Sequence, residues 1–104
     1  MPKEVKIPFQ PEFKEPMLSS SKTMTTKTKK YGRPGDWFRA FGAIFELVEV
    51  YQTRLNLVAY TCYAEEGFSS SQEFRACWNK LHPNITFEEK PDRPVYLHRF
   101  VRSK

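Results

Sequence analysis

A basic segment with interspersed hydroxyl and aromatic side chains is the part of this sequence best suited to chemistry. Residues 22–39 hold six basic residues against the single acid Asp36, while the other residues sum to zero charge. A local basic excess on a neutral body is typical of proteins that bind a polyanion. The alternative is a solubilising charge run, because a charge count contains no geometry. The six residues are Lys22, Lys27, Lys29, Lys30, Arg33 and Arg39.

Aromatic side chains near these cations could stack on nucleic-acid bases. Tyr31 lies beside Lys29 and Lys30, at the start of a turn rich in glycine and proline, and is the better candidate. Trp37, at the start of the next element, could either stack on a base or fill the core. We therefore expect a nucleic-acid-binding surface made of the six basic residues and Tyr31.

Metal and redox chemistry lack a suitable motif. The spacing of Cys62 and Cys77 resembles neither a zinc knuckle nor a CxxC pair, and we expect two reduced, partly buried thiols. His82 precedes a proline and is interpreted as structural, and His98 as packed or hydrogen-bonded on a strand. Two separated histidines without a cysteine or carboxylate pattern form no metal site. No metal and no cofactor are predicted.

One helix is the clearest of the elements that must position these residues. Ser70 and Glu73 form a capping-box pair, and Pro83 ends the segment. Apolar residues recur at i, i+3, i+4 and i+7 between them, which predicts a helix over Ser70–His82. That stripe consists of Phe74, Cys77, Trp78 and Leu81.

The remaining elements are predicted from alternation, β-branched content and turn residues. Segment 19–30, rich in Ser, Thr and Lys, is expected to face solvent, and residues 31–36 to form a turn. Mixed strands with helices on one side indicate an α+β fold. Strands are predicted over Lys3–Phe9, Trp37–Phe41, Ala43–Tyr51 and Val95–Val101, and two further helices over Pro11–Leu18 and Leu55–Glu66.

The size and composition set the wider context. With 104 residues, 39% of them hydrophobic, the chain is predicted to form one globular domain over residues 1–104. No apolar run approaches the ~20 residues that a membrane span needs. The first residues contain no secretory pattern. We therefore expect a cytoplasmic, monomeric protein without a membrane partner.

Several short motifs, taken together, resemble a known family. Their order and spacing are similar to those of the ASCH domain, in particular its small stand-alone archaeal and bacterial members. This resemblance implies a PUA-like fold, a small β-barrel with flanking helices, and a link to RNA. The motifs are Lys22-Thr23-Met24-Thr25, Tyr31-Gly32, Gly35-Asp36, Glu65-Glu66-Gly67-Phe68-Ser69, His82-Pro83 and Val95-Tyr96-Leu97-His98-Arg99-Phe100.

The family pattern Gly-x-Lys-x-x-Thr-x-Arg begins here at Ser20 and ends at Lys27 in place of the arginine. Lysine cannot copy the planar, bidentate fork of arginine, so Lys27 is expected to fill a role that needs only a positive charge. Some ASCH proteins hydrolyse N4-acetylcytidine with a lysine, a threonine and a glutamate. The resemblance implies Lys22, Thr25 and Glu66 for those catalytic roles.

Three functions follow from these observations. The first is binding of RNA or of a modified nucleoside in a basic cleft around Lys22–Arg39. The second is hydrolysis of acetylated cytidine, in which Thr25 would offer a nucleophile and Lys22 a base if burial or neighbouring cations lowered its pKa. Glu66 would then act as acid or base, or orient Lys22. The third is a protein-interaction module with an incidental basic face.

Overall fold

A four-stranded antiparallel sheet organises the chain, and the computed structural model describes residues 1–103 of it. The strands lie in the order β1-β4-β3-β2, so that the long β3 and β4 form the centre. The register between them shifts at Leu47 and Glu49, and such a bulge bends a strand. The sheet curls into a half-barrel, which confirms the predicted α+β, PUA-like class. The strands are β1 (Met24–Lys27), β2 (Trp37–Ala40), β3 (Ala43–Arg54) and β4 (Pro94–Arg102).

A tight hairpin joins β2 to β3. Its two turn residues, Phe41 and Gly42, have φ angles of 54° and 81°. A two-residue hairpin turn of this kind matches the right-handed twist of the strands but requires positive φ at both positions. Gly42, which separates the two predicted strands, therefore lies in this turn, and Phe41 adopts a backbone conformation that disfavours a side chain.

Three helices pack on the sheet. A 3-10 turn (Pro11–Phe13) leads into α1 (Lys14–Leu18), and α2 (Leu55–Thr61) follows β3 directly. The third, α3, spans Ser71–Leu81, close to the predicted bounds. Its N-cap is Ser70, whose Oγ accepts from the Glu73 amide at 3.1 Å. The predicted helix over Leu55–Glu66 is too long, because α2 ends at Thr61 and turns follow as far as Gly67.

The predicted strand over Lys3–Phe9 is wrong. Only Glu4 forms a bridge, parallel to Trp37, through bonds from Val5 N–H to the Trp37 carbonyl and from the Trp37 N–H to the Lys3 carbonyl. Val5 and Ile7 are nevertheless buried. Alternation thus marked which residues enter the core, while the short pairing covers one end of the β2 edge.

The predicted solvent-facing segment over residues 19–30 is exposed at both ends, but the prediction is wrong for its middle. Met24–Lys27 forms the edge strand β1, paired with β4 from Met24 opposite Arg99 to Lys27 opposite Tyr96. Met24 is fully buried, and Thr25 and Thr26 are buried too. The polar composition of the segment concealed a strand whose hydroxyls lie inside the protein.

Two apolar clusters lie on the two faces of the sheet, since successive strand residues point to opposite sides. Val95 and Leu97 of β4 pack with Met24, α2 and α3, whereas Phe100 packs with the N-terminal segment and α1. Within residues 1–103, none of the helices combines the length and apolar character that crossing a membrane demands. The β1 edge lies where the elements on the two faces approach each other.

Candidate binding cavity at the β1 edge

A cavity of about 250 Å³ lies at the β1 edge of the sheet. The N-terminal segment, β1, the turn before Gly67 and α3 all contribute to its lining. Because the cavity is at an edge, side chains from both faces of β1 reach it. The lining includes Gln10, Phe13, Lys22, Thr25, Thr26, Lys27, Thr28, Tyr31, Glu66, Phe68, Phe74, Cys77, Trp78 and His82.

The most buried cation among residues 1–103 lies at this cavity. Lys22 is only 2% exposed, and its Nζ donates to the Met24 carbonyl at 2.9 Å and to the Glu66 carbonyl at 2.8 Å. A third contact, at 3.4 Å, reaches Glu66 Oε1. An ammonium group has three N–H bonds, and here each has an acceptor. Lys22 is therefore held as a charged group with no donor left over for a ligand.

Glu66 completes the buried pair. Its second carboxylate oxygen, Oε2, accepts from Thr26 Oγ1 at 2.6 Å, and the residue is 3% exposed. The following residue, Gly67, has a φ of 98° and lies so close to Lys22 that a Cβ there would be 3.1 Å from the lysine Cβ. A side chain at position 67 would thus be strained and crowded. We call Lys22, Thr26 and Glu66 the cavity floor.

Burial and the partner's charge have opposite effects on the pKa values of Lys22 and Glu66 in the cavity floor. Burial lowers the pKa of Lys22 and raises the pKa of Glu66, while each charge partly offsets the effect on the other. Burial, aided by the charge of Lys22, also lowers the pKa of Lys27 to about 8. Lys27 Nζ donates to the Pro8 carbonyl at 2.6 Å. The hydrogen-bond geometry of Lys22 and Glu66 is that of an ionised pair.

The fold and this cavity can be compared with known proteins. Neither a protein-family model nor a curated protein matches the sequence. Solved structures do match. An ASCH domain from Lactobacillus crispatus JV V101 superimposes with a TM-score of 0.62 at 16% identity, over 97% of this chain and 79% of that one. The chain has the ASCH-domain fold.

Two further structures support the same fold. The hypothetical protein PH0355 gives a TM-score of 0.69 at 13% identity over 99% of this chain and 100% of that one. ASCH from Zymomonas mobilis gives 0.61 at 20% identity, over 94% of this chain and 66% of that one. The resemblance stated from the sequence motifs is thus confirmed at the level of the fold.

The ASCH fold brings the three residues predicted as catalytic to one cavity. Lys22 and Glu66 are in contact although 44 positions separate them, and Thr25 lines the same cavity. Thr25 does not bond to Glu66, however. Adjacent strand residues point to opposite faces, and it is Thr26 that makes the bond. Sequence reasoning missed Thr26, because the family pattern singles out only the first of the two threonines.

The two departures from the ASCH pattern have local explanations. Ser20 has a φ of 65°, in the left-handed region that favours glycine, so the backbone keeps the conformation that the pattern residue would adopt freely. Lys27 lies where the pattern has arginine, and its Nζ also lies 5.1 Å from the centre of the Phe9 ring. Its single ammonium is thus committed to the N-terminal segment.

The remaining predicted nucleic-acid-binding residues do not share one cleft. Tyr31 lines the cavity, and Lys29 Nζ lies 4.9 Å from the centre of its ring. Lys30 and Arg33 line a separate shallow depression next to Tyr31. Arg39 lies on β2, the opposite edge strand, with its Nε 3.6 Å from Glu4 Oε2. The residues of the predicted cleft spanning Lys22–Arg39 thus lie in three places. Lys22 and Lys27 line the cavity, Lys29, Lys30 and Arg33 lie beside Tyr31, and Arg39 is distant.

Aromatic rings form the walls of the cavity. Phe74 and Trp78 are buried at 3% and 4% exposure, as expected for core residues, yet both also line the cavity. Phe13 faces the floor, with Lys22 Nζ 4.5 Å from its ring centre. Trp37, left open from the sequence, pairs with Glu46 on the far strands. The helical stripe did not reveal these wall residues, because core and cavity lining share one apolar pattern.

The cysteines and histidines lie in separate places in the fold. No group of three or more potential metal ligands occurs within residues 1–103, and Cys62 and Cys77 are both free. His98 is fully buried and its Nε2 accepts from the Tyr31 amide at 3.1 Å, so it positions a cavity residue from behind.

Proposed function

We propose that the cavity binds the base of a modified nucleoside, either free or as an unstacked residue of an RNA strand. The observation that supports this most directly is the combination of aromatic walls with a charged, hydrogen-bonded floor in a space of about 250 Å³. Recognition of an unpaired base uses stacking on aromatic rings and hydrogen bonds to the base edge. A cavity of this size is smaller than the ~300–1,000 Å³ typical of drug-sized ligands.

The floor supplies acceptors more readily than donors. Lys22 has no unused N–H, whereas the Glu66 carboxylate accepts from Thr26 and Lys22 and still has lone pairs. A carboxylate is a suitable acceptor for the exocyclic amine of cytosine. The hydroxyl of Thr25, on the lining, can donate to a carbonyl of the base. This polarity supports a cytidine-type base.

Binding can be measured by the fluorescence of the tryptophan in the cavity wall. The Trp37→Phe variant leaves Trp78 as the only tryptophan, because the chain has two. Titration with cytidine, N4-acetylcytidine and a short single-stranded RNA should change its emission in a saturable way. Cys77→Phe, which fills the cavity, should abolish that change. Ala76→Phe, on the exposed face of the same helix, should preserve it. Absence of saturation with all three ligands would remove the proposal and favour a protein-interaction module.

An RNA ligand predicts a salt dependence that a free nucleoside lacks. Each phosphate neutralised on a single strand contributes a slope of about −0.7 to log K against log salt. Lys29→Gln and Lys30→Gln should each reduce the slope for RNA by about 0.7 and leave nucleoside binding unchanged. Arg39→Gln, on the opposite sheet edge, is the matched control and should change neither. A slope near zero for wild type would restrict the ligand to free nucleosides.

Hydrolysis of N4-acetylcytidine is the second candidate, favoured by the buried Lys22–Glu66 pair beside two threonine hydroxyls. It ranks lower because a lysine with three occupied N–H bonds has no lone pair to act as a base. Release of cytidine from N4-acetylcytidine tests it. If Thr25 is the nucleophile, Thr25→Val should stop release and Thr26→Val should slow it. Equal release by wild type and Lys22→Ala would reject the catalytic roles.

The proposal includes a cellular location and an oligomeric state. A cytoplasmic location is in keeping with two unpaired cysteines, and a monomer is sufficient because every residue of the cavity comes from one chain. Sedimentation of the purified protein tests the oligomeric state. A dimer whose interface covers Tyr31 would contradict the open cavity.

A further inference from the structure

His82, at the end of α3, has a tautomer that the structure determines. Its ring Nδ1 lies 3.1 Å from the Trp78 carbonyl oxygen, which also accepts the His82 backbone N–H at 2.9 Å. A carbonyl oxygen only accepts hydrogen bonds, so Nδ1 must bear the hydrogen. The lone pair of the neutral ring is therefore on Nε2.

The ring is held at the opening of the cavity. It stacks on the Trp78 indole with centroids 3.8 Å apart and planes 18° from parallel. His82 is half-buried and lines the cavity, whereas Lys22 and Glu66 of the floor are almost fully buried. Within residues 1–103, no hydrogen bond to Nε2 occurs. A fixed acceptor without a partner thus lies nearer to solvent than the floor does.

The shape of a nucleoside determines what would meet this acceptor. In a pyrimidine nucleoside the sugar is attached on the side of the ring opposite to its exocyclic group. If the base edge contacts the floor, the sugar must lie at the opening. Within an RNA chain the 3′ and 5′ oxygens are esterified, and the 2′-hydroxyl is the sugar donor that remains.

We propose that Nε2 of His82 accepts a hydrogen bond from the ribose 2′-hydroxyl, so that the cavity selects ribonucleosides over 2′-deoxyribonucleosides. This inference rests on the proposed function and adds a sugar specificity to it. His82 would act as a specificity-determining residue, with Trp78 holding the ring and its carbonyl fixing the tautomer.

The surroundings keep this ring neutral. Burial lowers the pKa of His82 below its ordinary 6.5, and the charges of Arg93, before β4, and Lys27, on β1, act in the same direction. The bond to the Trp78 carbonyl acts the other way. A hydrogen bond accepted from the ligand would favour the neutral ring further, and so lower the pKa in the complex.

Calorimetric titration with cytidine and 2′-deoxycytidine tests the inference. Wild type should prefer cytidine by about 3- to 10-fold, the range of one neutral hydrogen bond. His82→Phe keeps an aromatic ring against Trp78 but has no acceptor, and it should bind both nucleosides equally. His82→Gln offers a carbonyl oxygen and should recover part of the preference. A wild type that binds both sugars equally overturns the sugar contact alone, and so does one that binds neither nucleoside but still binds N4-acetylcytidine or the RNA. A wild type that binds none of these ligands also removes the proposed function.

Proton NMR provides a second readout that a purely structural histidine would not move. The chain has two histidines, and His82→Phe identifies the resonances of His82. Saturation with cytidine should lower the pKa of His82, and 2′-deoxycytidine should have a smaller effect. A pKa that rises on binding would mean that Nε2 donates instead, and would overturn the inference.

Discussion

Removing either member of the buried Lys22–Glu66 pair should destabilise the protein, with opposite pH dependence for the two single variants. Lys22→Met leaves a carboxyl in the cavity floor without its cation, and Glu66→Gln leaves an ammonium without its anion. Burial then acts alone, raising the pKa of Glu66 further in the first variant and lowering that of Lys22 further in the second. The double variant contains neither charge.

The magnitude follows from the ordinary pKa values. A pH of 7 is 2.5 units above the ordinary Glu66 pKa of 4.5. Keeping Glu66 protonated in the folded protein at this pH therefore destabilises it by at most about 3.4 kcal/mol, at about 1.36 kcal/mol per unit. The same pH is 3.5 units below the ordinary Lys22 pKa of 10.5. Keeping Lys22 neutral in the folded protein therefore destabilises it by at most about 4.8 kcal/mol. Both ceilings agree with the about 3–5 kcal/mol typical of breaking a buried pair.

Stability depends on pH with opposite sign in the two single variants, because the extra proton is bound by the folded state in one and by the unfolded state in the other. In Lys22→Met the folded protein retains a proton on Glu66 that the unfolded chain releases, so stability relative to wild type falls as pH rises above 4.5. In Glu66→Gln the unfolded chain retains a proton on Lys22 that the folded protein lacks. Stability relative to wild type therefore rises with pH until 10.5.

Guanidinium unfolding at pH 5, 7 and 9, followed by circular dichroism, measures these differences. Each single variant should change relative to wild type by up to about 1.36 kcal/mol per pH unit, and the double variant by much less. The loss in the double variant should also be smaller than the sum of the two single losses. Differences below about 1 kcal/mol that do not vary with pH would refute an ionised buried pair.

Four further variants test the backbone and the turn. Gly67→Ala should destabilise the protein by about 1–3 kcal/mol and displace Lys22. Gly42→Ala is the control, because Gly42 also has a positive φ but a Cβ there would have nothing within 4 Å, so it measures the backbone cost alone. The difference between the two variants in thermal unfolding gives the cost of crowding Lys22. Ser20→Gly should raise stability by about 0.5–1 kcal/mol in the same assay, and a loss would contradict a strained serine at φ 65°. Asp36→Asn should be less stable than wild type at pH 7. Backbone N–H donors lower the Asp36 pKa, so this difference should shrink as pH falls below 3.8, and a urea series that finds a constant difference would reject the account.

Local patterns predicted what local physics decides. The capped helix appeared almost as written, because Ser70 and the apolar stripe act within a few residues of one another. Strand β1 was missed for the opposite reason. Thr25 and Thr26 look solvent-facing in sequence, and they are buried only because β4, α3 and the N-terminal segment cover them. A polar edge strand is a tertiary outcome that no short window reveals.

The same limit applies to the site. The resemblance to ASCH domains predicted that Lys22 and Glu66 belong together, and the fold places them in contact. It did not predict Thr26 as the partner of Glu66, nor the acceptor on His82, since both depend on which way a side chain points. The face that Thr26 presents follows from its bond to a carboxylate 40 positions away, and the tautomer of His82 from its contact with the Trp78 carbonyl four positions earlier.

The fold also corrects what the charge excess of residues 22–39 means for RNA. The sequence contains six cations in this segment, but three of them are not free to meet RNA. Lys22 is paired with Glu66 inside the protein, Lys27 bonds to the Pro8 carbonyl, and Arg39 lies on the opposite edge beside Glu4. Three cations remain near the cavity opening: Lys29, Lys30 and Arg33. At about 0.7 per phosphate, a single-stranded RNA should show a slope of about −2 rather than the about −4 that six contacts would give. A measured slope near −4 would mean that the buried or distant cations reach the ligand after all, which the ionised floor and the sheet between its edges do not allow.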